Sequence, residues 1–300
     1  MNYPLVSVVM PVYNVENFID DAIDSILSQS YSNFEFIIIN DGSTDHTLEL
    51  IKKRFDNRIV LINRKRNAGN YACRNIGCKM AKGEYICVMD GDDIAMPNRI
   101  YKQVEIMEKD TSLMAIGSTF RLFNGKIRYK PIEYELIKIC LLFNSMIFHP
   151  SMMIRKSALQ QIGYYDELFQ YASDYNLVCR LALHGKIINI PDILMQYRVH
   201  DNQISRAKKR DLIDSAHQIR LNYLQSCGFE LSTIEQSLFS LLMSGVKPAS
   251  NEKYIELITK MIHQNRTLNC FEASGFNAFL NFFITEEVTP GEYGDAEIIK

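Results

Sequence analysis

The chain has 300 residues, enough for one large α/β domain or one domain with an appendage. Its 33 basic and 35 acidic side chains leave a formal charge of −2, which argues against the basic face of a nucleic-acid binder. Apolar residues at 47% exclude a disordered chain, and 14 Gly with 8 Pro exclude collagen-like or low-complexity architecture.

Residues 6–10 form a short apolar run rich in β-branched side chains, and Pro11, Val12, Tyr13 and Asn14 then turn the chain. Phe18, Ala22, Ile23 and Ile26 recur at helical spacing up to about Ser30. A second apolar run at 34–39 precedes Asp41-Gly42-Ser43-Thr44-Asp45 and a helix to about Phe55. A third strand is expected at 59–62, a helix over about 70–81 and a fourth strand at 85–89. Strands that are apolar throughout and alternate with helices predict a parallel sheet covered on both faces. Ligands bind such sheets at the carboxyl ends of the strands. Polar residues gather at those ends: Tyr13 and Asn14, then Asp41, then 66–70, then Asp90-Gly91-Asp92-Asp93. One such cluster reads as a turn; four at successive strand ends read as a site.

After Pro97 a helix runs to about Lys109, and 113–123 with 127–129 reads as a strand pair around Asn124-Gly125. A mixed stretch follows, with His149-Pro150-Ser151 expected to be structural and Tyr164-Tyr165 expected to pack. Ser173 and Asp174 open a helix to about His184, as helix caps or as site residues. Residues 187–198 are extended and broken by Pro191. From about Ala207 three or four helices reach Ile284, beginning with the basic run Arg206, Lys208, Lys209 and Arg210. The polar, acidic tail from Thr285 is expected to fray.

Seven cysteines, odd in number, scattered and without a C-x-x-C, predict reduced thiols of a cytoplasmic protein rather than a disulfide framework or zinc ribbon. The first ten residues read as a strand and not as a signal peptide. No window approaches the ~18 uninterrupted apolar residues of a membrane span. A basic helix start leaves room for peripheral contact with an inner membrane face.

The chain has no G-x-G-x-x-G after its first strand, no P-loop, no H-E-x-x-H and no G-x-S-x-G. The segment from Asp90 is no calcium loop, because its twelfth position is Tyr101 rather than Glu. What remains is D-x-D after a buried strand. Carboxylates spaced in this way can reach one hard divalent cation that bridges substrate phosphates, or can simply make an acidic turn.

The ordered set Val8-Val9-Met10-Pro11-Val12-Tyr13-Asn14, Ile38-Ile39-Asn40-Asp41-Gly42-Ser43, Asn67-Ala68-Gly69 to Arg74-Asn75, and Val88-Met89-Asp90-Gly91-Asp92-Asp93 resembles glycosyltransferase family 2. Gly163-Tyr164-Tyr165-Asp166-Glu167, Ser173-Asp174-Tyr175 and Tyr197-Arg198-Val199-His200 fit the same pattern, so the resemblance spans roughly residues 5–205. It implies an α/β GT-A catalytic domain over 1–205 and a helical C-terminal extension over 206–300. It also implies an inverting, metal-dependent transferase that moves a sugar from a nucleotide-diphosphate donor, UDP rather than GDP or TDP, to a glycan or lipid-linked acceptor. By the same resemblance Pro11 and Tyr13 border the base and Asp41 accepts from the uracil ring N–H. Asn67, Gly69 and Arg74 lie along ribose and diphosphate, and Asp90 contacts ribose or sugar. Asp92 and His200 hold Mn²⁺ or Mg²⁺, and Asp174 is the catalytic base. Many members carry Glu-Asp where this chain has Ser173-Asp174, so any orienting role of the first acid is lost here. The alternatives are a silent nucleotide-sugar-binding subunit of the same fold and a sugar nucleotidyltransferase. The extension is expected to dock on a membrane or form a homodimer.

Overall fold

A computed structural model describes residues 4–200, 209–245 and 251–285. The expected parallel half is present: β1 (Val6–Val12), α1 (Ile19–Leu27), β2 (Phe34–Asn40), α2 (Thr47–Lys52), β3 (Ile59–Asn63), α3 (Asn70–Met80) and β4 (Tyr85–Val88). Next come β5 (Ile94–Ala95), α4 (Arg99–Lys109), β6 (Leu113–Leu122), β7 (Ile127–Arg128) and α5 (Tyr134–Cys140). A single 3₁₀ turn at His149–Ser151 leads to β8 (Met153–Arg155), α6 (Lys156–Gln161), α7 (Ser173–His184) and β9 (Lys186–Tyr197). Among the described residues beyond 205 there are four helices: α8 (Lys209–Ser226), α9 (Thr233–Leu242), α10 (Glu252–Leu268) and α11 (Ala273–Thr285). Of the basic run, residues 206–208 lie outside the described residues, as does the tail beyond Thr285.

The nine strands form one sheet in the order β3-β2-β1-β4-β8-β6-β9-β5, with β7 against β6. Strands β3, β2, β1 and β4 run parallel, β8 is antiparallel to both neighbours, and β6 and β9 are parallel. The chain winds outward from β1 in both directions, which opens a crevice at the carboxyl ends of β1 and β4. The β1–β4 ladder stops at Val9 and Val88, so the imino nitrogen of Pro11 removes no donor that this ladder uses. Pro191 does not break β9; it sits with Asp192 in a bulge, because Ser118 pairs with Ile190 while Thr119 pairs with Ile193.

Side-chain alternation divides the core between the two faces of the sheet. Val6, Val8, Met10, Phe36 and Ile38 pack under α1 and α4 with Ile19, Ile23, Ile26 and Ile100. Val9, Ile37 and Ile39 face α3, and that cluster runs on through Leu177, Leu181 and Tyr223 to Phe276 and Leu280 of the extension. Gly77 lets α3 come close, since a Cβ there would lie 2.5 Å from Val9 Cγ1. Among the described residues no helix is long and apolar enough to cross a membrane.

Candidate active site

The loop after β1 is stitched to the loop after β2 by short polar side chains. Asn14, at φ 52°, accepts from the Thr44 amide at 2.8 Å, and its own amide donates to Ser43 Oγ at 3.1 Å. The amides of Val15 and Glu16 donate to Thr47 Oγ1 and Asp45 Oδ2 at 2.9 and 3.1 Å. Burial pushes the Asp45 carboxyl up, but the hydrogen bonds from Thr47 and Glu16 outweigh it and hold the group below its ordinary value. Pro11 is enclosed as part of β1, whereas Tyr13 projects half-exposed beyond the strand end.

Asp41 directly follows β2 and is 3% exposed. Its carboxylate receives the Ala68 amide at 3.0 and 3.1 Å and the Gly69 amide at 2.9 Å, with Arg64 Nη1 at 3.7 Å. Asn67 braces the same turn by accepting from the Gly69 amide at 3.1 Å. Glycine is required twice around this clamp. Gly69 has φ 94° at the entrance to α3, and Gly42 has φ 73° with a would-be Cβ 3.0 Å from the Arg66 carbonyl carbon.

Arg74, one turn into α3, is buried and points inward. Its Nη2 pairs with Asp90 Oδ1 and its Nη1 lies 3.4 Å from the Met89 carbonyl oxygen. The guanidinium therefore supports Asp90 from beneath and does not line an open groove, as the expected diphosphate contact would require. Burial pushes the Asp90 carboxyl up; Arg74 draws it back, Asp92 and Asp174 add to the rise, and the net shift is upward.

Carboxylate oxygens of Asp90, Asp92 and Asp93 lie within 4.8 Å of one another. His200 Nε2 stands 2.9 Å from Asp92 Oδ2, and its ring packs 4.7 Å from that of Phe18. Asp93 is fully buried: its Oδ1 accepts from the Arg198 amide at 3.0 Å, but its Oδ2 has no hydrogen-bond partner among the described residues. Burial first, then repulsion from Asp92 and Asp90, lifts the Asp93 carboxyl well above its usual range. An oxygen-rich acidic cluster with one imidazole at its edge, destabilised as it stands, fits a hard divalent cation. Arg198 ties the corner together, donating to the Asp92 carbonyl and to Asp21 at 3.0 Å each and lying over Phe123 at 4.1 Å.

Asp174 is the second residue of α7. The helix cap is Ala172, which makes no side-chain cap, so neither Ser173 nor Asp174 serves as the N-cap. Asp174 Oδ1 instead accepts from the Tyr71 hydroxyl at 2.9 Å. Burial pushes the Asp174 carboxyl up, only partly opposed by that hydrogen bond, the Tyr175 backbone and the nearby Arg74. Tyr71 stacks on Tyr165 at 5.6 Å, and the Tyr165 hydroxyl meets His149 Nε2 at 2.8 Å. His149 and Tyr165 are thus structural parts of a buried network, as expected for His149. Tyr71 carried no signal of its own in the sequence, because a tyrosine near a helix start is ordinary.

The structure thus brings Asp41, Arg74, Asp90, Asp92, His200 and Asp174 to one edge of the sheet, from segments up to 159 residues apart (200 − 41). The family model described as "Glycosyl transferase family 2" matches residues 7–163. An uncharacterised glycosyltransferase of Haemophilus influenzae is 33% identical over 253 residues, 78% of each chain. One from Methanocaldococcus jannaschii is 37% identical over 225 residues, 71% of this chain and 77% of that one. Among solved structures, S. aureus TarS 1–349 in complex with UDP has a TM-score of 0.60 at 18% identity, covering 93% of this chain and 90% of that one. The Pyrobaculum calidifontis mannosyltransferase PcManGT, in complex with GDP-Man and Mn²⁺, has a TM-score of 0.61 at 15% identity, covering 94% and 86%. The curled mixed sheet with flanking helices is the GT-A fold that these neighbours share. By its family match and its curated relatives, the chain belongs to glycosyltransferase family 2.

Proposed function

We propose that the chain is a metal-dependent inverting glycosyltransferase that takes its sugar from a nucleotide-diphosphate donor, with UDP as the nucleotide. The observation that carries this reading is the joint placement of a clamped Asp41, the Arg74–Asp90 pair, the Asp92–His200 pair and Asp174 at one strand-end crevice. The structural neighbours support the donor class, since they are complexes with UDP and with GDP-Man and Mn²⁺. The family match favours sugar transfer over the nucleotidyltransferase alternative.

Asp92 and His200, backed by Asp90 and Asp93, would hold Mn²⁺ or Mg²⁺. A cation bound there supplies Lewis-acid stabilisation of the charge that gathers on the leaving diphosphate. The protein's own groups do the rest. Tyr13 borders the base, Pro11 shapes the wall behind it, and Asp41 offers an oxygen to the uracil ring N–H. The Asn67–Gly69 turn flanks ribose and diphosphate, while Asp90, fixed by Arg74, meets ribose or sugar hydroxyls. Asp174 takes the proton of the acceptor hydroxyl as that oxygen bonds to the anomeric carbon and the bond to the diphosphate breaks on the opposite face. The α7 dipole favours the ionised form of this carboxylate against the burial that opposes it. The acceptor is a glycan or a lipid-linked saccharide, and the enzyme works in the cytoplasm.

Thermal melting against UDP-, GDP-, TDP- and CMP-sugars, each with Mn²⁺ and with EDTA, tests the reading. A UDP-specific, Mn²⁺-dependent rise is expected, about 2.7 kcal/mol of stabilisation at a hundred-fold excess over Kd. No rise with any nucleotide sugar would favour a silent relative of the family. A silent relative that still binds donor would melt higher yet release no nucleotide.

A further inference from the structure

Asp174 needs a partner that fixes its carboxylate, and in this chain the preceding residue cannot be that partner. Ser173 is fully buried and its hydroxyl has no hydrogen-bond partner among the described residues. We propose that Tyr71 is the positioning residue for Asp174, its hydroxyl holding one carboxylate oxygen so that the other is left to meet the acceptor hydroxyl. This rests on the reading of Asp174 as the base.

The geometry that supports it is a rigid mount. Tyr71 is the second residue of α3 and Asp174 the second residue of α7, so two helix starts meet through the 2.9 Å contact. The Tyr71 ring stacks on Tyr165 with 21° between planes, which leaves it little freedom to swing. Tyr165 is itself locked to α3: its amide donates to Asn75 Oδ1 at 3.0 Å, and Asn75 Nδ2 donates back to its carbonyl at 3.0 Å. Asn75 lies one turn from Tyr71 on the same helix, so the stack and its anchor move together. His149 holds the far end of Tyr165 at the hydroxyl.

The groups that face Asp174 are Tyr71 and Arg74 from α3, Asp90 from the end of β4 and Tyr165 from the segment before α7. Burial, joined by the neighbouring carboxylate, holds the Tyr71 hydroxyl well above its ordinary value, so it stays a donor throughout the working range. Losing that donor removes a charge-assisted hydrogen bond and leaves the burial of Asp174 less opposed.

Tyr71→Phe is the test, a change that keeps the stacked ring and removes only the hydroxyl. UDP release from a UDP-sugar with Mn²⁺, water serving as acceptor, should fall about ten-fold in kcat at pH 7 with the donor KM unchanged. The acidic limb of the pH profile should move up by about one unit, and raising the pH should restore part of the rate. Independently of turnover, the ¹³C carboxyl titration of Asp174, assigned by its loss in Asp174→Asn, should move up by about one unit in Tyr71→Phe. An unchanged Asp174 titration and pH profile would overturn the inference. If Asp174→Asn itself kept normal turnover, the base reading would fail instead, whatever Tyr71 does.

Discussion

Arg74 and Asp90 are unequal partners, and the inequality sets the direction of a mutational test. The Arg74 side chain is 1% exposed whereas Asp90 keeps 29% of its side-chain surface in water. Asp90→Asn would strand an enclosed guanidinium, whose Nε already lacks a hydrogen-bond partner, beside a neutral amide. Leaving a buried charge uncompensated costs about 3–5 kcal/mol; the amide oxygen can still accept from Nη2, which puts this variant near 3 kcal/mol. Arg74→Met removes the enclosed charge, fills much of its volume and leaves a carboxylate that water can reach, for a cost of about 1.5 kcal/mol. At about 3 °C per kcal/mol, the melting points should fall by about 9 °C and about 4.5 °C respectively. Differential scanning fluorimetry in EDTA reads both, and the double variant should lose less than the sum because the pair is coupled. A larger loss for Arg74→Met than for Asp90→Asn would refute the view that the guanidinium is the buried liability.

Asp92→Ala should abolish any Mn²⁺-dependent rise in melting point while leaving the metal-free melting point within about 2 °C of the wild type, since Asp92 is a partly exposed group. Gly42→Ala places a side chain at φ 73° against the Arg66 backbone and should cost about 1–2 kcal/mol, read as a lower urea midpoint. Burial first, then Arg74 and Arg99, keeps the His149 pKa well below its ordinary value, so the folded protein holds this ring neutral. The unfolded chain gains that proton below about pH 6.5; the stability lent by neutral His149 is complete above this pH and declines as pH falls, by up to about 1.4 kcal/mol per unit. His149→Gln should therefore flatten the acid side of the melting curve between pH 6.5 and 5, and an unchanged acid slope would contradict the assignment.

The parallel half of the sheet was legible because strands buried on both faces read as unbroken apolar runs, such as Phe36 to Ile39. In the other half the β6–β7 pair and the extended β9 were legible too, but the short elements between them were not. Strands β5 and β8 have two and three residues, too few for any period to show, and α5 lies at the start of an apolar stretch with no clear amphipathic face. The acidic strand ends pointed to the crevice, yet spacing along the chain says nothing of which groups touch. Asp41 meeting the Ala68 and Gly69 amides, Arg74 turning inward to Asp90 and Tyr71 reaching Asp174 are products of tertiary packing. The Ser173-Asp174 pair left cap and site open in the sequence; the bare Ala172 cap closes the first option.

The acidic corner also imposes an order on biosynthesis. Asp92 and Asp93 are held by His200 and Arg198, 108 and 105 residues later. A chain emerging from the ribosome at about 5–20 residues per second exposes these carboxylates on the order of 5–20 s before their partners exist. For the first part of that interval β4 carries an open edge, because β8 follows more than sixty residues after it (153 − 88 = 65). Charged side chains at an open strand end disfavour pairing with a neighbouring chain, and three adjacent aspartates stand at this one. Residues 186–200 bring both β9, the last strand of the sheet, and Arg198 and His200, the partners of these carboxylates, so one segment finishes the sheet and the acidic corner.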